Sequence, residues 1–186
     1  MVERQRADKI IHQHIIWAIG AGLMPIPLLD IAVVGGIQLD MLRQLATLYG
    51  VSYSESEGKA WLSALSGSLL AKVAANAVKL IPGIGSILGG VSMSALSGAS
   101  TYALGQVAVA HFEAEGDLSD IDFTAAKRTY DEQFEKGKQV ASTIERDEGG
   151  GKEVFEKLER LKQLKDKDVI SADDFEAMKK KLLDSL

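Results

Sequence analysis

His12 and His14 lie two residues apart in ADKIIHQHIIWAIGAG, a spacing that raises the question of a metal site. On a helix, residues two apart point in different directions, so one ion cannot take both rings from one face. No carboxylate follows within a turn on the apolar side, and the pair reads as the boundary between a polar and an apolar face. A metal or proton-relay role is the alternative. The third histidine, His111, stands far off in the sequence. Asp30 is the most unusual ionisable residue, set between the apolar runs IWAIGAGLMPIPLL and IAVVGGI. An unpaired carboxylate there is costly. It reads either as an N-cap just after Pro25-Ile26-Pro27 or as a buried functional carboxylate. Asp40 and Arg43, three apart, read as a surface pair.

Phosphate chemistry finds no support. A P-loop needs G-x-x-x-x-G-K-[ST], whose glycines free backbone amides to cradle phosphate beside a lysine. Here Gly58-Lys59 runs into Ala60, Gly137-Lys138 into Gln139 and Gly151-Lys152 into Glu153. Gly20, Gly22, Gly35 and Gly36 sit in helical apolar context, not after a strand, so no dinucleotide fingerprint is present. The chain has no cysteine, which removes disulfides, thiolate metal sites and cysteine nucleophiles, and fits a reducing compartment. A net charge of −5 provides no basic field for nucleic acid. The reading is therefore of a non-enzyme with no catalytic residues, no cofactor, no metal and no evident small-molecule substrate.

The elements that position these residues are helical, because apolar residues recur at helical spacing and strand signals are nearly absent. A first helix is predicted from about Arg4 to Gly22, ended by Pro25 and Pro27. A second runs from Asp30 to about Tyr49 and stops at Gly50. Ser54 and Glu57 make a capping box that starts a third helix towards Ile81. Pro82, Gly83 and Gly85 end that helix, and a fourth covers roughly Ser86 to Glu113. A charged fifth helix is predicted from about Asp122 to Thr143. Three consecutive glycines in ERDEGGGK form a flexible linker, 145–152. The remaining residues, 153–186, split into two amphipathic pieces marked by Phe155, Leu158, Leu161 and Leu164, then by Phe175, Met178, Leu182 and Leu183. Ser171 and Asp174 form a capping-box-like start between them. A piece this small cannot bury an adequate core alone, so its stripes need a partner. The fold class expected is all-α. A compact bundle of about five helices over 1–144 is followed by the linker and a C-terminal two-helix hairpin.

Charge is unevenly spread. Between Ala60 and Phe112 the charged residues are Lys72 and Lys79, whereas Glu113 to Leu186 is dense in charge of both signs. Leu80 to Phe112 spans 33 residues without Asp, Glu, Lys or Arg, yet it is rich in glycine and serine. Its small residues recur every fourth position: Gly85 and Gly89, then Gly90, Ser94 and Gly98, with Gly105 beyond. Ser63, Gly67, Ala71 and Ala75 mirror this on the preceding helix. Such stripes let another backbone approach closely. Each glycine costs about 1 kcal/mol in an isolated helix, and close packing offsets that cost. The five glycines and Ser94 are thus expected helix-packing or oligomer contacts. Pro82 and Gly83 cut this stretch, and Pro25 and Pro27 cut the charge-free run of 20 residues from Ile10 to Leu29, so both suit interfacial, re-entrant or oligomer-enclosed helices better than independent spans. The N-terminus has Arg4, Arg6 and Lys9 before an apolar run, but Glu3 and Asp8 interrupt it and no A-x-A-like site follows, so no cleaved signal is expected.

Two blocks carry a family resemblance. Gly22 to Gly50 contains Pro25, Pro27 and Asp30 as P-x-P-x-x-D, then Gln38, and ends in Tyr49-Gly50; Lys79 to Glu113 contains the I-P-G-x-G turn from Ile81 to Gly85 and T-x-x-x-G at Thr101 and Gly105. Together, over roughly Ala7 to Glu113, they resemble the YcjF-like helical family. That family is a domain of unknown function often attached to bacterial Ras-like GTPase domains, and its members are usually regarded as membrane-associated. Leu158 to Leu183 is similar to the short C-terminal domain called SHOCT, with Asp168 standing where that family usually has glycine. SHOCT domains are linked with oligomerisation and partner binding. The resemblances imply a bacterial helical scaffold that assembles with copies of itself at the cytoplasmic side of the inner membrane, with lipid as a further partner. The alternative is a soluble cytoplasmic adaptor that docks a separate Ras-like GTPase or another partner, since these residues include no GTPase domain.

Overall fold

The computed structural model describes residues 2–21, 27–77, 87–88 and 91–147, together with Ser171 and Asp174. Five helices account for nearly all of them: α1 (Val2–Ala21), α2 (Pro27–Tyr49), α3 (Glu55–Ala77), α4 (Met93–Glu113) and α5 (Phe123–Asp147). The all-α reading holds. A short ladder, β1 (Ile87–Leu88) against β2 (Val91–Ser92), precedes α4. It is antiparallel, pairing Ile87 with Ser92 and Leu88 with Val91. The fourth helix was expected from Ser86 and begins at Met93 instead. Apolar β-formers on either side of a Gly-Gly pair are the sequence signature of a hairpin, and here that local preference outweighs the four-residue spacing of small residues.

The helix ends follow the chemistry of the flanking residues. Pro27 opens α2, where its missing N–H costs nothing because the first amides of a helix lack intrahelical acceptors anyway. Asp30 consequently lies inside the first turn of α2 and is not its N-cap, which corrects the sequence expectation. At the other end Gly50 adopts φ 69°, and Val51 N–H donates to Ala46 O at 2.8 Å while Gly50 N–H donates to Thr47 O at 3.3 Å. This is a Schellman close, and glycine suits its left-handed residue. Ser54 caps α3 as predicted, its Oγ accepting from Glu57 N–H at 3.3 Å. Asp122 caps α5 by accepting from Thr124 N–H at 2.8 Å and Ala125 N–H at 3.2 Å. That helix continues through Glu145, Arg146 and Asp147, residues read as linker from the sequence. In the tail, Ser171 and Asp174 form a reciprocal box. Asp174 N–H donates to Ser171 Oγ at 3.1 Å, and Ser171 N–H donates to Asp174 Oδ2 at 3.2 Å.

α4 is the centre of the bundle, packing most extensively on α5 and α1 and also meeting α2 and α3. Its neighbours run in alternating directions. Ile11 and Ile19 of α1 meet Gly105 and Gly98 of α4, so those two helices are antiparallel. Gly137 of α5 meets Ala99, and Glu145 meets Ser94, so α5 is antiparallel to α4 as well. Gln38 and Tyr49 of α2 bond to α4 at Ser100 and Glu113 respectively, which makes α2 and α4 parallel. The core joins Ile11, Ile15 and Ile19 of α1 to Leu42 and Leu45 of α2, Trp61 and Leu65 of α3, Leu104 and Val107 of α4, and Ala141 and Ile144 of α5. Among the described residues no helix is long and apolar enough to cross a membrane.

Candidate functional site

Three polar constructions interrupt this apolar interior, and small residues set the distances between helices around them. The first is a buried chain of neutral groups. Gln38 of α2 is 1% exposed, and its Nε2 donates to Ser100 Oγ at 3.1 Å and Thr101 Oγ1 at 3.2 Å. The Thr101 hydroxyl donates in turn to Ser97 O at 3.0 Å. Ser100 Oγ shares a 2.7 Å hydrogen bond with the hydroxyl of Tyr130 on α5, whose ionisation burial pushes to higher pH. The chain therefore links α2, α4 and α5. It contains a hydroxyl but no base: neither an amide nor a phenol takes a proton from Ser100 at neutral pH. Ser66 is also buried, near the Tyr130 phenol but without hydrogen-bond geometry to any described group.

The second construction joins α1 to α2. His14 is fully buried, with Nδ1 2.7 Å from Ile10 O and Nε2 3.2 Å from Asp40 Oδ2. Trp17 covers the ring, centroids 4.5 Å apart. Asp40 also accepts from Gln44 Nε2 at 2.7 Å and from Arg43. Burial on its own would raise the Asp40 carboxyl, but the hydrogen bonds from His14, Gln44 and Arg43 outweigh it and hold the carboxyl below its usual range. The sequence reading placed His14 at a polar–apolar boundary and Asp40 in a surface pair with Arg43. The structure keeps the Arg43 contact, adds the histidine and buries the ring, because the carboxylate arrives from another helix. A shallow open depression of about 550 Å³ lies alongside, lined by Ile10, Arg43, Gln44, Thr47 and Leu48.

The third construction is at the opposite end of α4. His111 Nε2 lies 2.8 Å from both Asp117 O and Asp120 Oδ1, and the indole of Trp61 donates to Leu118 O at 2.9 Å. Trp61 and His111 meet edge to face at 5.5 Å, so the loop before α5 is fastened to α3 and α4 together. Asp117 is held low by the Ser119 hydroxyl and backbone amide. Nearby, Arg4 of α1 pairs with Glu113 at 3.2 Å, and Tyr49 of α2 donates to the same carboxylate at 3.2 Å. Among the described residues no group of three or more His, Asp or Glu is arranged to hold a metal ion.

The expected packing glycines divide between buried positions and residues the structure does not describe. A Cβ on Gly98 would lie 2.8 Å from Ile19 Cγ1 and 3.0 Å from Ala141 Cβ; one on Gly105 would lie 2.7 Å from Ile11 Cγ1. Both glycines pack helices within one chain, and those surfaces are already filled by α1 and α5. Ser94, 2% exposed, bonds to Glu145 of α5. Gly85, Gly89, Gly90, Pro25, Pro82, Gly83, Leu158, Leu161, Leu164, Phe175 and Leu182 lie outside the described residues. Sequence reasoning missed Gly137, where a Cβ would fall 2.8 Å from Ala99 O and 3.0 Å from Ala99 Cα, backbone against backbone. Its signal was available, since Gly137 is a lone glycine in the middle of an amphipathic helix.

A family model described as "Domain of unknown function (DUF697)" matches residues 1–139, and one described as "Short C-terminal domain", SHOCT, matches residues 156–183. The chain is 40% identical over 143 residues to Magnetosome membrane protein 22 of Magnetospirillum gryphiswaldense, a match covering 74% of this chain and 73% of that protein. No solved structure matches the chain.

Proposed function

From a chain that belongs to the DUF697 family and ends in a SHOCT domain, we infer a non-enzymatic, membrane-associated helical scaffold that assembles with copies of itself. The observation that carries this reading is the 40% identity to a protein named for the magnetosome membrane. Attachment is at the cytoplasmic side of the membrane, peripheral or embedded; among the described residues no helix is long and apolar enough to span a bilayer. Self-association falls to the SHOCT tail, through Leu158, Leu161, Leu164, Phe175 and Leu182, and to Gly85, Gly89 and Gly90. Gly98 and Gly105 already serve contacts inside the chain. Charge-poor chemistry in the bundle suits a structural role better than a catalytic one.

The test uses the full chain with vesicles of phosphatidylethanolamine and phosphatidylglycerol. Flotation with the vesicles, and a mass of several copies by analytical ultracentrifugation, are expected. A monomer that stays below the gradient would overturn the reading and leave the soluble adaptor for a separate GTPase in its place.

A further inference from the structure

We propose, resting on the membrane attachment inferred above, that the outward face of α1 and α2 is the surface that meets anionic phospholipid. This face changes character along its length. In the N-terminal half of α2, Ala32, Val33 and Gly36 are exposed and Ile37 is half-buried. A Cβ on Gly36 would meet nothing within 4 Å, so no described element covers the helix there. α1 runs antiparallel to α2, since His14 bonds to Asp40 while Ile10 shares a depression with Thr47 and Leu48. Trp17, half-buried, therefore stands beside the same half of α2, and it is a residue type that gathers at bilayer interfaces. From Ile10 to Ala21 and from Ile31 to Leu39 neither helix carries an Asp, Glu, Lys or Arg.

Cations begin where that band ends. Arg43 is 63% exposed and keeps guanidinium donors to spare beyond its bond to Asp40. Arg6 and Lys9 are exposed on α1 and pair with no carboxylate among the described residues. Arg6, Ile10 and Trp17 share one face at helical spacing, which places Arg6 beside the depression lined by Ile10, Arg43 and Leu48. Lipid phosphates accept from such cations, whose stems lie along the apolar floor that Ile10 and Leu48 provide. Gly36 and Arg43 are about 10 Å apart along the helix, the depth to which an interfacial helix settles. The far end sets the orientation. Tyr49 bonds to Glu113, and from there to Ala126 the chain has five carboxylates and no Lys or Arg. An anionic surface repels that turn and attracts the belt of cations, so the uncharged half of α2 goes deepest. α4 packs on both α2 and α5 and stands between them, which leaves the charged side of α5 in water. A second copy suits the face poorly. Two-fold pairing would set Arg6, Lys9 and Arg43 against one another, and Asp40 is already held by His14, Gln44 and Arg43. Glu3 belongs to the acidic end, beside Arg4 and its partner Glu113.

The chain has no cysteine, so Val33→Cys and Glu132→Cys each take a single environment-sensitive NBD label. Both positions are exposed, one on α2 and one on α5. With vesicles of phosphatidylethanolamine and phosphatidylglycerol, the label at position 33 should brighten several-fold and shift to the blue. The label at position 132 should stay as it is in buffer. Flotation then compares two full-length doubles that remove the same charge. Arg6→Gln with Lys9→Gln should weaken partitioning roughly 30-fold, about fivefold per cation, whereas Arg128→Gln with Lys136→Gln should leave it unchanged. A wild-type chain that does not float overturns the attachment and this face with it. Flotation with the position-33 label still in water, or with equal losses from the two doubles, overturns the face and leaves the attachment standing. A position-33 label that brightens with protein concentration before vesicles are added gives the face to a second copy and overturns it for lipid.

Discussion

The same substitution, Gly→Ala, should move stability in opposite directions at two helical glycines of this bundle. At Gly137 a new Cβ would stand 2.8 Å from Ala99 O and 3.0 Å from Ala99 Cα. Carbon atoms rest comfortably at about 3.5–4.0 Å, so α4 and α5 must part by several tenths of an ångström. Backbone cannot swing aside as a flexible side chain can. Overpacking of this kind costs about 1–3 kcal/mol. Against it stands the helix-propensity gain of alanine over glycine, about 1 kcal/mol. The net expectation for Gly137→Ala is a loss of about 1 kcal/mol, or a Tm fall of roughly 2–4 °C for a chain of this size. At Gly36, in the middle of α2, a Cβ would meet nothing within 4 Å. Gly36→Ala keeps the propensity gain alone and should raise Tm by about 2–3 °C. Circular dichroism melts at 222 nm in one buffer compare the two. A Gly137→Ala protein at least as stable as the parent would refute the claim that backbone contact sets the α4–α5 distance, and the Gly36 variant guards against a general effect of alanine.

Two further outcomes follow from the polar groups. Gln38→Leu removes the donor to Ser100 and Thr101 while leaving their bonds to Tyr130 and Ser97, and should cost about 1–2 kcal/mol. Urea denaturation should show a lower midpoint at unchanged slope, and an unchanged midpoint would argue that the buried chain adds nothing. Tyr49 is pushed up to about 12 by burial and by its hydrogen bond to Glu113. The folded state therefore holds this proton longer than the unfolded chain, whose tyrosine titrates near 10, and stability should decline as pH climbs between the two. Absorbance at 295 nm should show a late component that Tyr49→Phe reduces by one tyrosine; a titration left unchanged by Tyr49→Phe would contradict the contact.

Much of the helical framework was legible because helix ends are local chemistry. Gly50, the Ser54–Glu57 pair and Asp122 announce their roles within four residues of where they act, as do Ser171 and Asp174. Pro27 was ambiguous for a physical reason: the same ring that ends one helix is well suited to open the next, and reading only the first property moved the start of α2 to Asp30. The segment before α4 failed because small residues four apart satisfy a helical period, whereas Ile87, Leu88 and Val91 around two glycines satisfy a hairpin. The polar sites were the least legible. His14 and Asp40 are 26 positions apart and Gln38 and Ser100 are 62 apart, so no window of sequence contains either pair. Helix α4 is apolar around much of its circumference, and period alone does not say which side meets which neighbour. α5, polar on one side and apolar on the other, announced its buried face plainly.

The adjacency of α1 and α4 has a consequence for how the bundle forms. Arg4 and Glu113 are joined across 109 positions, and the Ile11–Gly105 and Ile19–Gly98 contacts span nearly as much chain. A meandering bundle could dock each helix on the one just made; this one leaves α1 waiting for its main partner until most of the bundle has been synthesised. At about 5–20 residues per second, Ile11, Ile15 and Ile19 spend several seconds uncovered by α4 on the ribosome. Closing so long a loop also slows folding relative to a bundle with local contacts. The early helix is thus the segment most exposed to capture, by a chaperone or by a neighbouring nascent chain, before its own fold covers it.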